Sequence, residues 1–79
     1  PSPFVLFIKN EDQPGVVGKV GTLLGENGIN IAEMTLGRVK KGEKVFAMTV
    51  INVDTDIPVK VLDEIKKMKP ILDAKMVKM

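Results

Sequence analysis

Residues 4–28 read F-V-L-F-I-K-N-E-D-Q-P-G-V-V-G-K-V-G-T-L-L-G-E-N-G, and within this stretch the hydrophobic period changes from that of a strand to that of a helix. Phe4–Ile8 is a short apolar run of β-formers, which reads as a buried strand. Asn10 to Gly15 is a cluster of turn residues. Pro14 suits the first position of a helix, where its missing N–H costs nothing. From Val16 onward, Val16, Val17, Val20, Leu23 and Leu24 recur at helical spacing, with Lys19, Thr22 and Glu26 outside them. Gly28 supplies a left-handed stop. Gly18, Gly21 and Gly25 share one helix face although each costs about 1 kcal/mol relative to Ala. Their spacing predicts close approach to a sheet or a neighbouring subunit.

Working outward from this unit, Asn30 to Val39 reads as a second strand with Ala32, Met34 and Leu36 on one face. Lys40-Lys41-Gly42-Glu43 reads as a hairpin turn. Lys44–Val53 is almost entirely apolar and is expected to be a central strand. Pro58 opens a second helix carrying Val59, Val61, Leu62, Ile65 and Met68, and Pro70 ends it. Ile71–Val77 is a last strand in which Leu72, Ala74 and Met76 alternate with charged residues. The order βαββαβ is that of an α+β, ferredoxin-like split βαβ sandwich. Right-handed crossovers predict a four-stranded antiparallel sheet in the order 4-1-3-2, with two helices on one face. The other face is expected to be only partly wet.

The composition bounds the function. Of 79 residues, 44% are apolar and 28% charged, which suits one small globular domain spanning 1–79. A domain of this size buries a modest share of its surface and often gains stability by association. No apolar run is long enough to span a membrane, and no signal peptide is visible. The chain starts at Pro1 and reads as a fragment of a larger protein. With no Cys, thiol chemistry is excluded and a reducing cytoplasm is the expected setting. The net charge of +2 is too small to imply an anionic partner.

Catalysis needs a positioned base, nucleophile or metal. His and Cys are absent, Ser2 lies in the terminal tail, and the carboxylates fall mostly at turns and on polar helix faces. Asp54 and Asp56 lack the spacing of a calcium loop and read as turn and helix-cap residues. Neither phosphate-loop nor dinucleotide glycine patterns occur. No catalytic residue, metal site or cofactor is therefore expected in this chain. The same strand order serves RNA-binding domains, which stack bases on aromatics of the central strands. Here Glu43, Val45 and Met48 stand where those aromatics belong, and Phe46 is expected on the opposite face. Nucleic-acid binding is not expected.

The elbow Lys9 to Val17 is the segment with binding chemistry. A helix start offers free N–H groups to a carboxylate. Gly15 lets a ligand approach the backbone. Asn10, Asp12 and Asn30 supply amides and an anionic acceptor, the complement of an α-amino acid. The same residues also serve as ordinary turn and cap formers.

The segments D-Q-P-G-V-V-G at 12–18, G-T-L-L-G-E-N-G-I-N-I-A-E-M at 21–34 and Gly37-Arg38 resemble the ACT domain family, over essentially the whole chain. The similarity is closest to the C-terminal regulatory ACT domains of D-3-phosphoglycerate dehydrogenases, while the ACT domain of the iron–sulfur L-serine dehydratase is also similar. The resemblance implies a domain that binds L-serine or another small amino acid and feedback-inhibits an NAD-dependent parent enzyme. It implies a homodimer joined along the second strand, with the ligand between two copies. It places the ligand site on Asn10, Asp12, Pro14, Gly15 and Val16, with Asn30 of the neighbouring copy and its neighbour in sequence, Ile31. Asp12 would face the ammonium. Asn10 stands where the family often has His, so that contact is altered. A ligand-free ACT oligomerisation module and an RNA-binding ferredoxin-like domain are the alternatives.

Overall fold

The computed structural model describes residues 3–13 and 15–79. Its elements are β1 (Phe4–Glu11), α1 (Val16–Glu26), β2 (Ile31–Lys41), β3 (Lys44–Val53), α2 (Val59–Lys66) and β4 (Ile71–Lys78). The four strands form one antiparallel sheet in the order β2-β3-β1-β4, the expected order 4-1-3-2 read from its other edge. The two most apolar strands, β1 and β3, occupy the centre because they alone have apolar partners on both sides.

One sheet face builds the core. Leu6 lies opposite Ile51 and Met76, and Ile8 opposite Thr49 and Ala74. Val16, Val20 and Leu24 of α1 and Val61 and Ile65 of α2 pack onto this face. Leu6, Leu24, Val53 and Ile65 are all 0% exposed. The other face carries no helix. There Val5 is buried, while Phe7, Phe46 and Val50 are half-buried, so this face is wet only in part. Phe46 lies opposite Glu11 and Val39, hence on the helix-free face, contrary to the sequence expectation. The Lys9 ammonium sits 5.2 Å from the centre of its ring.

Two irregularities escape a strict period of two. In β2, Ile31 lies opposite Val53 and Glu33 opposite Asn52, so Ala32 is a bulge residue without a partner. Ile31, not Ala32, therefore shares the core face with Met34 and Leu36. In β4, Asp73 lies opposite Lys9 but Ile71 opposite Asn10, so Leu72 is the extra residue and is left 49% exposed.

Helix α1 closes with a Schellman motif. The N–H of Ile29 donates to Leu24 O at 2.9 Å and that of Gly28 to Gly25 O at 3.0 Å. Buried Ile29 then packs with Leu24 in the core. Gly28 has φ +71 and open space around a prospective Cβ, so a substitution there meets backbone strain alone. Gly28→Ala is expected to lower the stability by about 1 kcal/mol, read as a lower urea midpoint at unchanged slope. Close approach of α1 to the sheet is not found at Gly18 or Gly25, where an added Cβ meets nothing within 4 Å in this chain. At Gly21 it would touch Ile31 Cδ1 at 4.0 Å. Neither Asp54 nor Asp56 caps α2, since Pro58 holds that position. Asp54 instead accepts from Asn30 Nδ2 at 2.9 Å, and Asp56 from the N–H of Ile57 at 2.9 Å.

Candidate functional site

The elbow between β1 and α1 is pinned from both sides. The N–H of Glu11 donates to Pro70 O at 2.9 Å, and that of Asp12 to Val45 O at 3.2 Å. Gly15 then turns the chain with φ 86, a left-handed value suited to glycine. The first bond of α1 runs from the N–H of Lys19 to Gly15 O at 3.0 Å. Among the described residues no side chain caps the helix start, and no acidic residue lies in its first turn. Its leading N–H groups and positive dipole end are thus left for an anion.

Three residues lie in a row across the sheet beneath this helix start. Arg38 on β2 is opposite Ala47 on β3, which is opposite Asn10 on β1. Ala47 is the smallest of the three, so the floor sinks between two longer side chains. The result is a cavity of about 540 Å³, lined by Asn10, Asp12, Gln13, Gly15, Val16, Val17, Gly18, Leu36, Arg38 and Ala47. That is the size range of small-molecule sites.

Asn10 is 2% exposed. Its Nδ2 donates to Glu11 O at 2.8 Å, while its Oδ1 has no partner among the described residues. A buried acceptor left unsatisfied costs about 1–3 kcal/mol. Asn10 belongs to the lining of the cavity. Asp12 accepts from Arg38 Nε through Oδ2 at 3.0 Å, the two side chains being 32% and 66% exposed respectively. The cavity thus brings together an uncapped helix start, a buried asparagine and a carboxylate with its counter-ion.

Of the residues expected at the site, Asn10, Asp12, Gly15 and Val16 come together here. Pro14 lies outside the described residues. Asn30 and Ile31 lie at the far end of the sheet. Ile31 is opposite Val53, which faces Phe4, and the run from Phe4 to Asn10 along β1 covers about 20 Å. The N–H of Asp54 donates to Asn30 O at 3.0 Å. Ile31 packs half-buried against the core. The sequence reading missed Leu36, Arg38 and Ala47 as cavity residues. Alternation along the second strand was the available signal, since Leu36 and Arg38 share a face. Among the described residues there is no group of three or more His, Cys, Asp or Glu side chains able to hold a metal, and no helix is long and apolar enough to cross a membrane.

The ACT domain family model matches residues 4–69. The chain is 39% identical over 80 residues to D-3-phosphoglycerate dehydrogenase of Synechocystis, covering 100% of this chain and 14% of that protein. It is 34% identical over 77 residues to D-3-phosphoglycerate dehydrogenase of Bacillus subtilis, covering 98% of this chain and 14% of that protein. With the enzyme of Archaeoglobus fulgidus the identity is 39% over 74 residues, covering 94% and 14%. The chain therefore spans 14% of the length of these relatives. Among solved structures, the ACT domain from GTP pyrophosphokinase of Chlorobium tepidum superposes with a TM-score of 0.65 at 13% identity, covering 94% of this chain and 95% of that one. A protein described as unknown from Galdieria sulphuraria superposes with a TM-score of 0.77 at 18% identity, covering 96% and 48%. At these identities the structural likeness speaks for the fold alone.

Proposed function

The chain belongs to the ACT domain family, and from that premise we propose that it is the amino-acid-binding regulatory domain of a D-3-phosphoglycerate dehydrogenase, taking L-serine and relaying its feedback inhibition. The observation that carries this reading is the elbow cavity itself, where the Asp12 carboxylate and the buried Asn10, whose Oδ1 has no partner among the described residues, meet the uncapped start of α1. An α-amino acid needs donors for its carboxylate and acceptors for its ammonium. The N–H groups at the start of α1 suit the first. Asp12 and Asn10 Oδ1 suit the second. The NAD-dependent oxidation would belong to the rest of that enzyme, and the part of this chain is binding.

A second copy completes the site in this reading. Strand β2 is an edge strand, and Ala32 to Lys41 are exposed along it. Such an edge is a template for pairing. A two-fold pairing along β2 would bring the neighbour's Asn30 end toward this copy's elbow, because antiparallel strands run in opposite directions. Ligand bound between two copies would favour the paired state by its differential affinity for it. The D-3-phosphoglycerate dehydrogenase relatives support this choice of parent enzyme.

The test is L-serine titration with calorimetry, thermal melting and sedimentation. At a hundredfold excess over Kd a ligand adds about 2.7 kcal/mol, which raises Tm by roughly 10–20 °C in a domain of this size. The dimer fraction is expected to rise with it. No heat and no thermal shift at millimolar L-serine would rule out the serine assignment. A stable dimer without any amino-acid response would instead favour a purely structural module.

A further inference from the structure

Arg38 has no place in the binding chemistry just described, yet it holds the carboxylate that this chemistry needs. We propose that Arg38 is a tethered counter-ion that holds Asp12 until the ammonium of an amino acid takes its place, so that Arg38 sets both the affinity of the site and its demand for a cationic ligand group. The proposal rests on the reading of the cavity as an amino-acid site.

The geometry has three parts. Arg38 reaches Asp12 from the far side of the small Ala47, across the cavity floor. Its contact is a single bond from Nε to Oδ2 at 3.0 Å, between side chains 66% and 32% exposed. An ion pair so open to water is weak and readily exchanged. Asp12 is moreover the only carboxylate among the cavity's described residues, so any cationic ligand group must compete with Arg38 for it.

The exchange has a driving force. Nε–H is one donor, and it serves Asp12 while the buried Oδ1 of Asn10 is left without a partner. An ammonium carries three donors. Placed in the cavity, it can serve Asp12 and still hold donors for Asn10, whose side chain belongs to the same lining. The ligand is a zwitterion without net charge, so its binding to the native protein should depend weakly on salt. A 2-hydroxy acid with the same carboxylate has no ammonium and cannot displace Arg38.

The experiment compares the native protein with Arg38→Met and Arg38→Lys, titrated calorimetrically with L-serine and with glycerate at low and at physiological ionic strength. Methionine keeps the apolar stem and removes the charge, at an exposed position where folding is not at risk. Arg38→Met is expected to bind L-serine about two- to fivefold tighter at low salt, with the gain shrinking as salt screens the bare Asp12. Arg38→Lys is expected to stay near the native affinity, and glycerate to bind poorly throughout. Equal or weaker binding of L-serine by Arg38→Met, with native binding intact, overturns the counter-ion role and leaves the site standing. Absence of binding by every form overturns the site and this proposal with it.

Discussion

Asp12→Ala is expected to weaken L-serine binding by about tenfold to a hundredfold while leaving the domain folded. A hydrogen bond to a charged group contributes about 1.5–3 kcal/mol, and every 1.4 kcal/mol is about tenfold in affinity. Asp12 is the carboxylate of the cavity, and among the described residues nothing else in its lining carries a negative charge. The fold does not depend on that side chain. It is 32% exposed and its partner is the 66% exposed Arg38, a pairing that adds little to stability. The backbone bond from Asp12 N–H to Val45 O at 3.2 Å survives the substitution. Calorimetric titration beside a circular dichroism melt separates the two effects. Native affinity in the variant would remove Asp12 from the site.

The second large effect is on stability. Leu24→Ala is expected to cost about 2–5 kcal/mol, the range for a fully buried leucine whose surroundings cannot collapse. Leu24 is 0% exposed, and it belongs to the core shared by α1, the sheet and α2. Its carbonyl also accepts from Ile29 N–H at 2.9 Å in the helix stop. Against a total stability of about 5–15 kcal/mol the loss is severe. The melting temperature should fall by roughly 10–30 °C. Val59→Ala is the matched control, since Val59 is 74% exposed, and it should stay within about 0.5 kcal/mol of the native protein. A drop of less than about 5 °C for Leu24→Ala would contradict the packing described above.

The contrast between those two residues also marks where sequence reading ends. Val59 and Leu24 both fit an apolar helical spacing, yet only one points into the core. Period identified all six elements because strands and helices repeat their apolar residues differently. It could not find the end of β1. Lys9, Asn10 and Glu11 extend that strand through backbone bonds, opposite Met48, Ala47 and Phe46, and backbone pairing leaves no mark on side-chain polarity. The bulges at Ala32 and Leu72 are invisible for a related reason. Each inserts one residue and reverses the apparent face of its neighbours.

The site divides in the same way. The elbow was legible because proline, glycine and short polar residues cluster between two apolar runs. The burial of Asn10 was not legible, since an asparagine beside Glu11 and Asp12 reads as a turn former. Burial comes from its neighbours across the sheet, Ala47 and Ile71, which lie far away in sequence. Arg38 was legible only as part of a family pattern. Its contact with Asp12 joins positions 26 apart, and no local rule reaches that far.

The irregularity in β4 bears on how far self-assembly can run. A sheet whose copies join along β2 still has β4 as an outer border. If that border were flat and apolar, the joined pair would be a seed for a growing ribbon. Instead β4 carries Asp73, Lys75 and Lys78, and the misstep at Leu72 breaks the repeat that an incoming strand would have to match. Such features act as gatekeepers against filament growth. If copies pair along β2 as proposed, these features would let the association stop at two.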